Sequence, residues 1–176
     1  MKKNTSLKSI IVLVAICLFI AVAMAAVNMV TAPKIAAANE QKEQEALAAV
    51  LPENAGFEKL EGTELPECVS ALYADLDKDG MAAMLSIKGY DSSKPMSVVV
   101  GFTRDGEITK CVVISASGET SGIGSKVTLP EFLGQFDGKD ARLEGVDAIS
   151  GATISSQAFI DAVKECCELV RGDGNE

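Results

Sequence analysis

The longest apolar pattern in the chain lies near its start. Residues 10–30 are apolar at every position except Asn28, a run of 21, and about 20 helical residues suffice to cross the hydrocarbon core of a bilayer. The pattern then changes. Residues 34–50 are rich in Ala, Glu and Gln, with Ile35, Leu47 and Val50 as sparse apolar points. These strong helix formers predict a second helix, stopped before Pro52 and placed to extend the first one outward as a stalk. Pro33 is placed to mark the end of the membrane segment. From residue 53 to 103 short apolar runs predict strands: Val69 with Leu72 and Tyr73, then residues 81–90, then 98–102. Cys111-Val112-Val113-Ile114, within 108–115, makes a fourth. Asp105-Gly106 and Asp79-Gly80 separate successive runs and predict hairpins whose two central residues both take positive φ.

Helical spacing returns toward the C-terminus. Thr128 with Glu131 three residues on reads as a capping box, and Pro130 suits a first turn because its missing N–H has no partner there. A short helix to about Phe136 follows. The final helix is predicted over residues 155–171, where Phe159, Ile160, Val163, Cys167 and Val170 form one apolar stripe and Gly172 is a stop signal. The chain thus divides into an N-terminal segment (1–9), a transmembrane helix (10–30), a helical stalk (31–52), one α+β domain of antiparallel strands packed with helices (53–171) and a loose tail (172–176).

Charge orients this arrangement. Lys2, Lys3 and Lys8 precede the apolar run, so the positive-inside rule places the N-terminus in the cytoplasm and the domain on the outer, periplasmic side of the cell membrane. The competing reading is a cleaved signal peptide, since Ala23-Met24-Ala25 has the small-x-small pattern of a cleavage site. The run exceeds the usual apolar core of roughly 7–15 residues, which favours a retained anchor. Cys17 lacks a convincing lipobox. Beyond the three lysines, 13 basic residues face 25 acidic ones, a net charge of −12. So acidic a surface argues against nucleic acid and anionic lipid as partners.

Absent residues narrow the chemistry further. With no His, Ser-His-Asp and Cys-His catalysis, His-ligated zinc and His-ligated haem are excluded. No Cys-x-x-Cys suggests an iron–sulfur cluster or c-type haem. Cys68, Cys111, Cys166 and Cys167 read as mostly free, partly buried thiols. Asp75-Leu76-Asp77-Lys78-Asp79-Gly80 matches the opening of an EF-hand loop, but position 12 is Ser86 rather than a bidentate Glu and the flanks read as strands. A solvated hairpin is the better reading, and no metal site is predicted.

One stretch carries chemistry. Asp147-Ala148-Ile149-Ser150-Gly151-Ala152-Thr153 leads into the last helix, with Ser155 and Ser156 just beyond. Small hydroxyl residues stand where unpaired N–H groups and the helix dipole favour an anion, and a phosphate fits there. An ordinary helix N-cap is the plain alternative. Upstream, Glu119-Thr120-Ser121-Gly122-Ile123-Gly124 forms a slim polar loop.

The two stretches resemble the paired motifs of the FMN-binding domain family, found in the G subunit of the Rnf electron-transport complex and the C subunit of the Na⁺-pumping NADH:quinone reductase. DAISGAT is similar to its flavinylation motif, Asp-x-x-Ser/Thr-Gly-Ala-Thr. ETSGIG is similar to its Glu-Thr-Pro-Gly-Leu-Gly loop, with Ser121 for Pro and Ile123 for Leu. The resemblance implies FMN joined through a phosphoester to Thr153, with Ser150, Gly151, Ala152, Ser155 and Ser156 around the phosphate. Glu119, Thr120, Gly122, Gly124 and Lys126 are expected near the flavin. Asp147 is expected to serve recognition by a flavin transferase, with a local turn cap as its alternative role. The resemblance also implies an electron carrier rather than a free-standing enzyme. Its partners would be other membrane, iron–sulfur and flavin subunits of a complex that moves electrons between ferredoxin and NAD⁺ and translocates Na⁺ or H⁺. The alternatives are the quinone-reductase component, a stand-alone extracellular flavoprotein, and a non-redox exported binding domain.

Overall fold

The computed structural model describes residues 3–51, 56–60, 65–76 and 80–173. The chain divides into two compact units, residues 1–41 and 42–176, so the second begins inside the predicted stalk. Helix α1 (Lys3–Val50) supplies the described part of the first unit and the opening of the second. Among the described residues it is the one helix long and apolar enough to cross a membrane. Pro33 does not end it. A proline inside a helix costs about 3 kcal/mol, and the Ala, Glu and Gln residues that follow it over 34–50 favour continuing the helix. The stop assigned to Pro52 lies outside the described residues.

The second unit is built on an antiparallel sheet in the order β1-β2-β3-β4-β5. Its strands are β1 (Phe57–Lys59), β2 (Val69–Asp75), β3 (Gly80–Ile87), β4 (Met96–Thr103) and β5 (Ile108–Ser115). The four apolar runs are β2 to β5. The three-residue β1 holds a single apolar side chain, too few to form a run. Side chains alternate between the two faces, as strand geometry requires. Leu85, Ile87, Val98, Val100, Phe102 and Cys111 face one core, and Ala82, Met84, Val99, Val112 and Ile114 face another. Burial on both faces is why Val98-Val99-Val100 is apolar without alternation.

The last turns of α1 cover the second face, where Ala46, Leu47 and Val50 are buried. Thr109 Oγ1 donates a 2.7 Å hydrogen bond to the Val50 carbonyl, one of the terminal carbonyls a helix cannot satisfy internally. Gly101 makes room for this contact. A Cβ there would collide with Thr109 Oγ1 and lie 2.8 Å from Val50 Cβ.

Helices α2 (Pro130–Leu133) and α3 (Thr153–Asp173) cover the first face. Phe132, Phe136 and Phe159 pack as a triad with ring centroids 5.3–5.4 Å apart, two of the pairs edge-on, the geometry aromatic quadrupoles favour. Helix α3 starts at Thr153, two residues before the predicted start, because Ser156 N–H already bonds the Ala152 carbonyl at 3.0 Å. Its buried stripe includes Cys166, while Ile160 is only half-buried.

Two local expectations are corrected. Between β4 and β5, Gly106 N–H bonds the Thr103 carbonyl at 3.0 Å, and Gly106 has φ +78. Asp105 is not among the positive-φ residues, and the register shifts between Gly101 and Phe102. The turn is therefore a three-residue bulged hairpin with glycine at the left-handed position. The Thr128 capping box is also not formed. Thr128 closes a 3₁₀ turn (Gly124–Thr128), its hydroxyl donates to the Ser125 carbonyl, and Leu129 is the N-cap of α2. Helix α2 ends at Leu133 rather than Phe136. The tip of the β2–β3 hairpin, residues 77–79, lies outside the described residues; its flanks, Asp75 and Gly80, belong to strands.

The cysteines are all free thiols. Burial, then a hydrogen bond to Glu165, pushes Cys68 up to about 12. Burial, then the nearby Asp140 charge, pushes Cys167 up to about 12. Burial also raises Cys111 and Cys166. A raised thiol pKa means the folded state holds the proton more tightly than the unfolded chain. The associated stability is complete below the ordinary thiol value and is lost as pH rises through the folded value. In a Cys17→Ala background under reductant, the Raman S–H stretch of the four remaining thiols should persist as the pH passes 9 and be lost only toward 12, as the fold is lost. Gly101→Ala should lower stability by about 1–3 kcal/mol through overpacking, read by chemical denaturation of the detergent-solubilised chain.

Candidate functional site

Two tight turns of one design face a common groove. In the first, Ile123 N–H bonds the Thr120 carbonyl at 3.1 Å, and Gly122 has φ +75. In the second, Ala152 N–H bonds the Ile149 carbonyl at 3.0 Å, and Gly151 has φ +82. A positive-φ glycine at the third position of a hydrogen-bonded turn is the signature of type II. Ser121 and Ser150 therefore occupy the second position, where proline is also favoured. That accounts for the proline that stands in place of Ser121 in the related motif. No atom lies within 4 Å of where a Cβ on Gly122 or Gly151 would project. Backbone conformation requires these glycines, and they leave open space beside the turns.

The groove is lined by Tyr90, Thr120, Ile123, Gly124 and residues 151–155, and encloses roughly 470 Å³, within the range of small-molecule sites. Its walls are apolar. Five large hydrophobic residues beyond Ile35 are exposed among the described residues, and Tyr90, Ile123 and Ile154 of these line this groove.

The hydroxyls of SGATISS are sharply differentiated. Ser156 is fully buried; its Oγ accepts from Ile149 N–H at 3.0 Å and donates to the Ala152 carbonyl at 2.9 Å. Ser155 is buried, and its hydroxyl donates to Glu119 Oε2. Thr153 is exposed at the first position of α3, and its hydroxyl bonds no described residue. The N–H groups of Thr153, Ile154 and Ser155 precede the first helical hydrogen bond and so lack intrahelical acceptors. No acidic residue belongs to the first turn itself; the Glu119 carboxylate reaches it through the Ser155 hydroxyl, and the free N–H groups face outward as an anion site requires.

The other expected residues are placed unevenly. Thr120, Gly124, Gly151 and Ala152 line the groove; Ser150, Gly122 and Lys126 are exposed but are not among its lining residues. Gly124 is small for a local reason, since a Cβ would run into the Glu119 carboxylate and come within 3.0 Å of Ser155 Oγ. Glu119 stands behind the wall. Its Oε1 accepts from Tyr90 N–H at 3.1 Å and its Oε2 from Ser155. Asp147 is exposed and caps no turn: Gln135 Oε1 accepts from its N–H at 2.8 Å, and its carboxylate bonds no described residue. Tyr90 and Ile154 escape sequence reasoning. Ile154 left one signal, an apolar residue off the α3 stripe; Tyr90 left none beyond following a strand.

These features suit FMN. The groove offers an apolar surface at Tyr90, Ile123 and Ile154 that a ring system would cover, free N–H groups at a helix N-terminus that a phosphate would meet, and the unengaged Thr153 hydroxyl on the same wall. Residues 89–168 match the model of the FMN-binding domain family, so the groove lies within a flavin-binding domain. The G subunit of the ion-translocating oxidoreductase complex of Methanosarcina acetivorans is 30% identical to this chain, over 93% of each. The G subunit of the proton-translocating ferredoxin:NAD(+) oxidoreductase complex of Clostridium ljungdahlii is 26% identical over 88% of this chain and 85% of its own. Its counterpart in the Na(+)-translocating ferredoxin:NAD(+) oxidoreductase complex of Acetobacterium woodii is 29% identical over 81% of each. The chain belongs to the family of G subunits of ion-translocating oxidoreductase complexes.

Proposed function

We propose that the chain is a membrane-anchored electron carrier whose FMN is esterified to Thr153. In this reading it serves as the G subunit of an Rnf-type complex that passes electrons between ferredoxin and NAD⁺ and moves Na⁺ or H⁺. The observation that carries the covalent assignment is the contrast among neighbouring hydroxyls. Thr153 is exposed and unengaged at the N-terminus of α3, whereas Ser155 and Ser156 are buried and hydrogen-bonded. Bound FMN supplies one- and two-electron chemistry. The chain's residues hold it: the first turn of α3 receives the phosphate, the two type II turns keep the backbone slim, and Tyr90, Ile123 and Ile154 shield the ring from water. A phosphate tether is remote from the ring, so its role is retention and the ring's surroundings set its electronics. The ferredoxin and NAD⁺ sites belong to other members of the complex. Asp147, exposed and without a described partner for its carboxylate, is available to the flavin transferase that attaches the cofactor.

Thr153→Ala should abolish covalent flavin in protein co-expressed with a flavin transferase, while Ser155→Ala and Ser156→Ala retain it. Mass spectrometry of the tryptic peptide 143–164 reads the site, and an FMN adduct on Ser155 or Ser156 of the wild type overturns the assignment.

Helix α1 anchors the chain with its N-terminus in the cytoplasm, and the FMN-binding domain lies on the outer side. The native thiols outside α1 are buried or half-buried, so an added one reports topology better. Ser92→Cys, at an exposed position, in a Cys17→Ala background should react with an impermeant maleimide before lysis. Labelling only after lysis reverses the orientation, and a mature N-terminus near Ala26 replaces the anchor with a cleaved signal.

A further inference from the structure

We propose that Tyr90 is the residue that covers the flavin ring, and that Glu119 is a positioning residue that holds Tyr90 there rather than a ligand of the flavin. This rests on FMN occupying the groove beside Thr153.

Tyr90 is 67% exposed, on the wall of the groove that contains Thr153. Its ring packs against no other described aromatic, and its hydroxyl bonds no described residue. Leaving an aromatic ring in water forgoes the stabilisation of its burial, and Ile123 and Ile154 share that exposure on the same groove. Together they make an apolar mouth on an acidic domain, the surface that a flat, largely apolar heterocycle would cover.

The backbone beneath Tyr90 is tethered. Glu119 Oε1 accepts the Tyr90 N–H at 3.1 Å, while Oε2 accepts the Ser155 hydroxyl in the first turn of α3. One carboxylate therefore joins the segment after β3, the 119–124 loop and the helix start that carries Thr153. Two glycines allow it: a Cβ on Gly89 or on Gly124 would strike the Glu119 carboxylate. Both carboxylate oxygens are engaged, and Glu119 is not among the residues lining the groove. Its carboxylate also lies against Ser155 in the first turn of α3, where the dipole favours negative charge. Asp would be one methylene too short to reach both partners. Gln would keep both contacts, accepting from Tyr90 N–H through Oε1 and donating to Ser155 Oγ through Nε2.

Two measurements on the full chain in detergent separate this proposal from the reading beneath it. The first uses no flavin. In the apo protein, the Tyr90 amide should exchange with solvent at least about tenfold faster in Glu119→Ala than in wild type, the consequence of losing a hydrogen bond to a charged acceptor. In Glu119→Gln, which keeps a neutral acceptor, it should exchange at a rate between those of wild type and Glu119→Ala. The second uses the flavin-loaded protein. A phenol in contact with an excited flavin quenches its emission, so Tyr90→Ala should be several-fold brighter than wild type per bound flavin. Glu119→Ala should brighten as well, and Glu119→Gln should stay dim. Far-UV circular dichroism confirms folding, and Tyr90 is exposed enough that its truncation leaves the core intact. Wild-type brightness in Tyr90→Ala overturns the role of Tyr90. Unchanged exchange in Glu119→Ala, or Glu119→Gln matching Glu119→Ala, overturns the role of Glu119. A wild-type protein that carries no flavin after co-expression with a flavin transferase overturns the FMN reading, and the cover assigned to Tyr90 falls with it; the exchange result then stands alone as a statement about the loop.

Discussion

The burial of one helix face decides where the chemistry of this domain is located. Phe159 enters the sheet-facing core between Phe132 and Phe136, and Val163, Cys166, Cys167 and Val170 continue the contact along α3. Once that stripe is buried, the rotation of the helix is set. Ser155 and Ser156 lie on the same inward face one turn earlier, at i−4 and i−3 from Phe159. Thr153 and Ile154 must then point elsewhere. The exposed threonine is thus a consequence of packing two turns away, and a change in the aromatic triad would be felt at the groove as a misplaced hydroxyl.

The loops obey a second constraint, that buried polar groups be paired. Among the described residues no buried side-chain nitrogen or oxygen lacks a partner. Ser156 both accepts from the turn before the helix and donates to it, and Ser155 shares the Glu119 carboxylate. The serines after Thr153 fasten the helix start to its surroundings. They serve a ligand only indirectly, by holding still the backbone that would face it. The motif mixes residues of two kinds, those that would meet the cofactor and those that keep the first kind in place.

Much of this was legible in the sequence. Four apolar runs became four strands because each held several apolar residues between turn signals, whereas Phe57 alone could not announce β1. Thr153 was legible from its motif. What failed were statements requiring knowledge of the neighbouring backbone. Thr128 had the spacing of a capping box, but a 3₁₀ turn had already enclosed it. Asp105-Gly106 signalled a hairpin correctly, yet Arg104 joins the loop and only Gly106 takes positive φ. Gly124 was expected near the flavin and lines the groove, but that its size also admits the Glu119 carboxylate could not be read from its neighbours in sequence. Tyr90 was invisible because solvent exposure of an aromatic is a tertiary property.

The contact between Val50 and Thr109 also bears on time. The two residues are 59 positions apart, and the groups that meet Val50 itself, Gly101 and Thr109, lie on the last two strands to be made. At roughly 5–20 residues per second of synthesis, the Val50 carbonyl waits several seconds after leaving the ribosome for the Thr109 hydroxyl that caps it. Through that interval Ala46, Leu47 and Val50 can meet only the β1, β2 and β3 side of their core, through Phe57, Tyr73, Ala82 and Met84. The end of α1 is therefore fastened only when β4 and β5 are made, although it is the earliest segment of the domain.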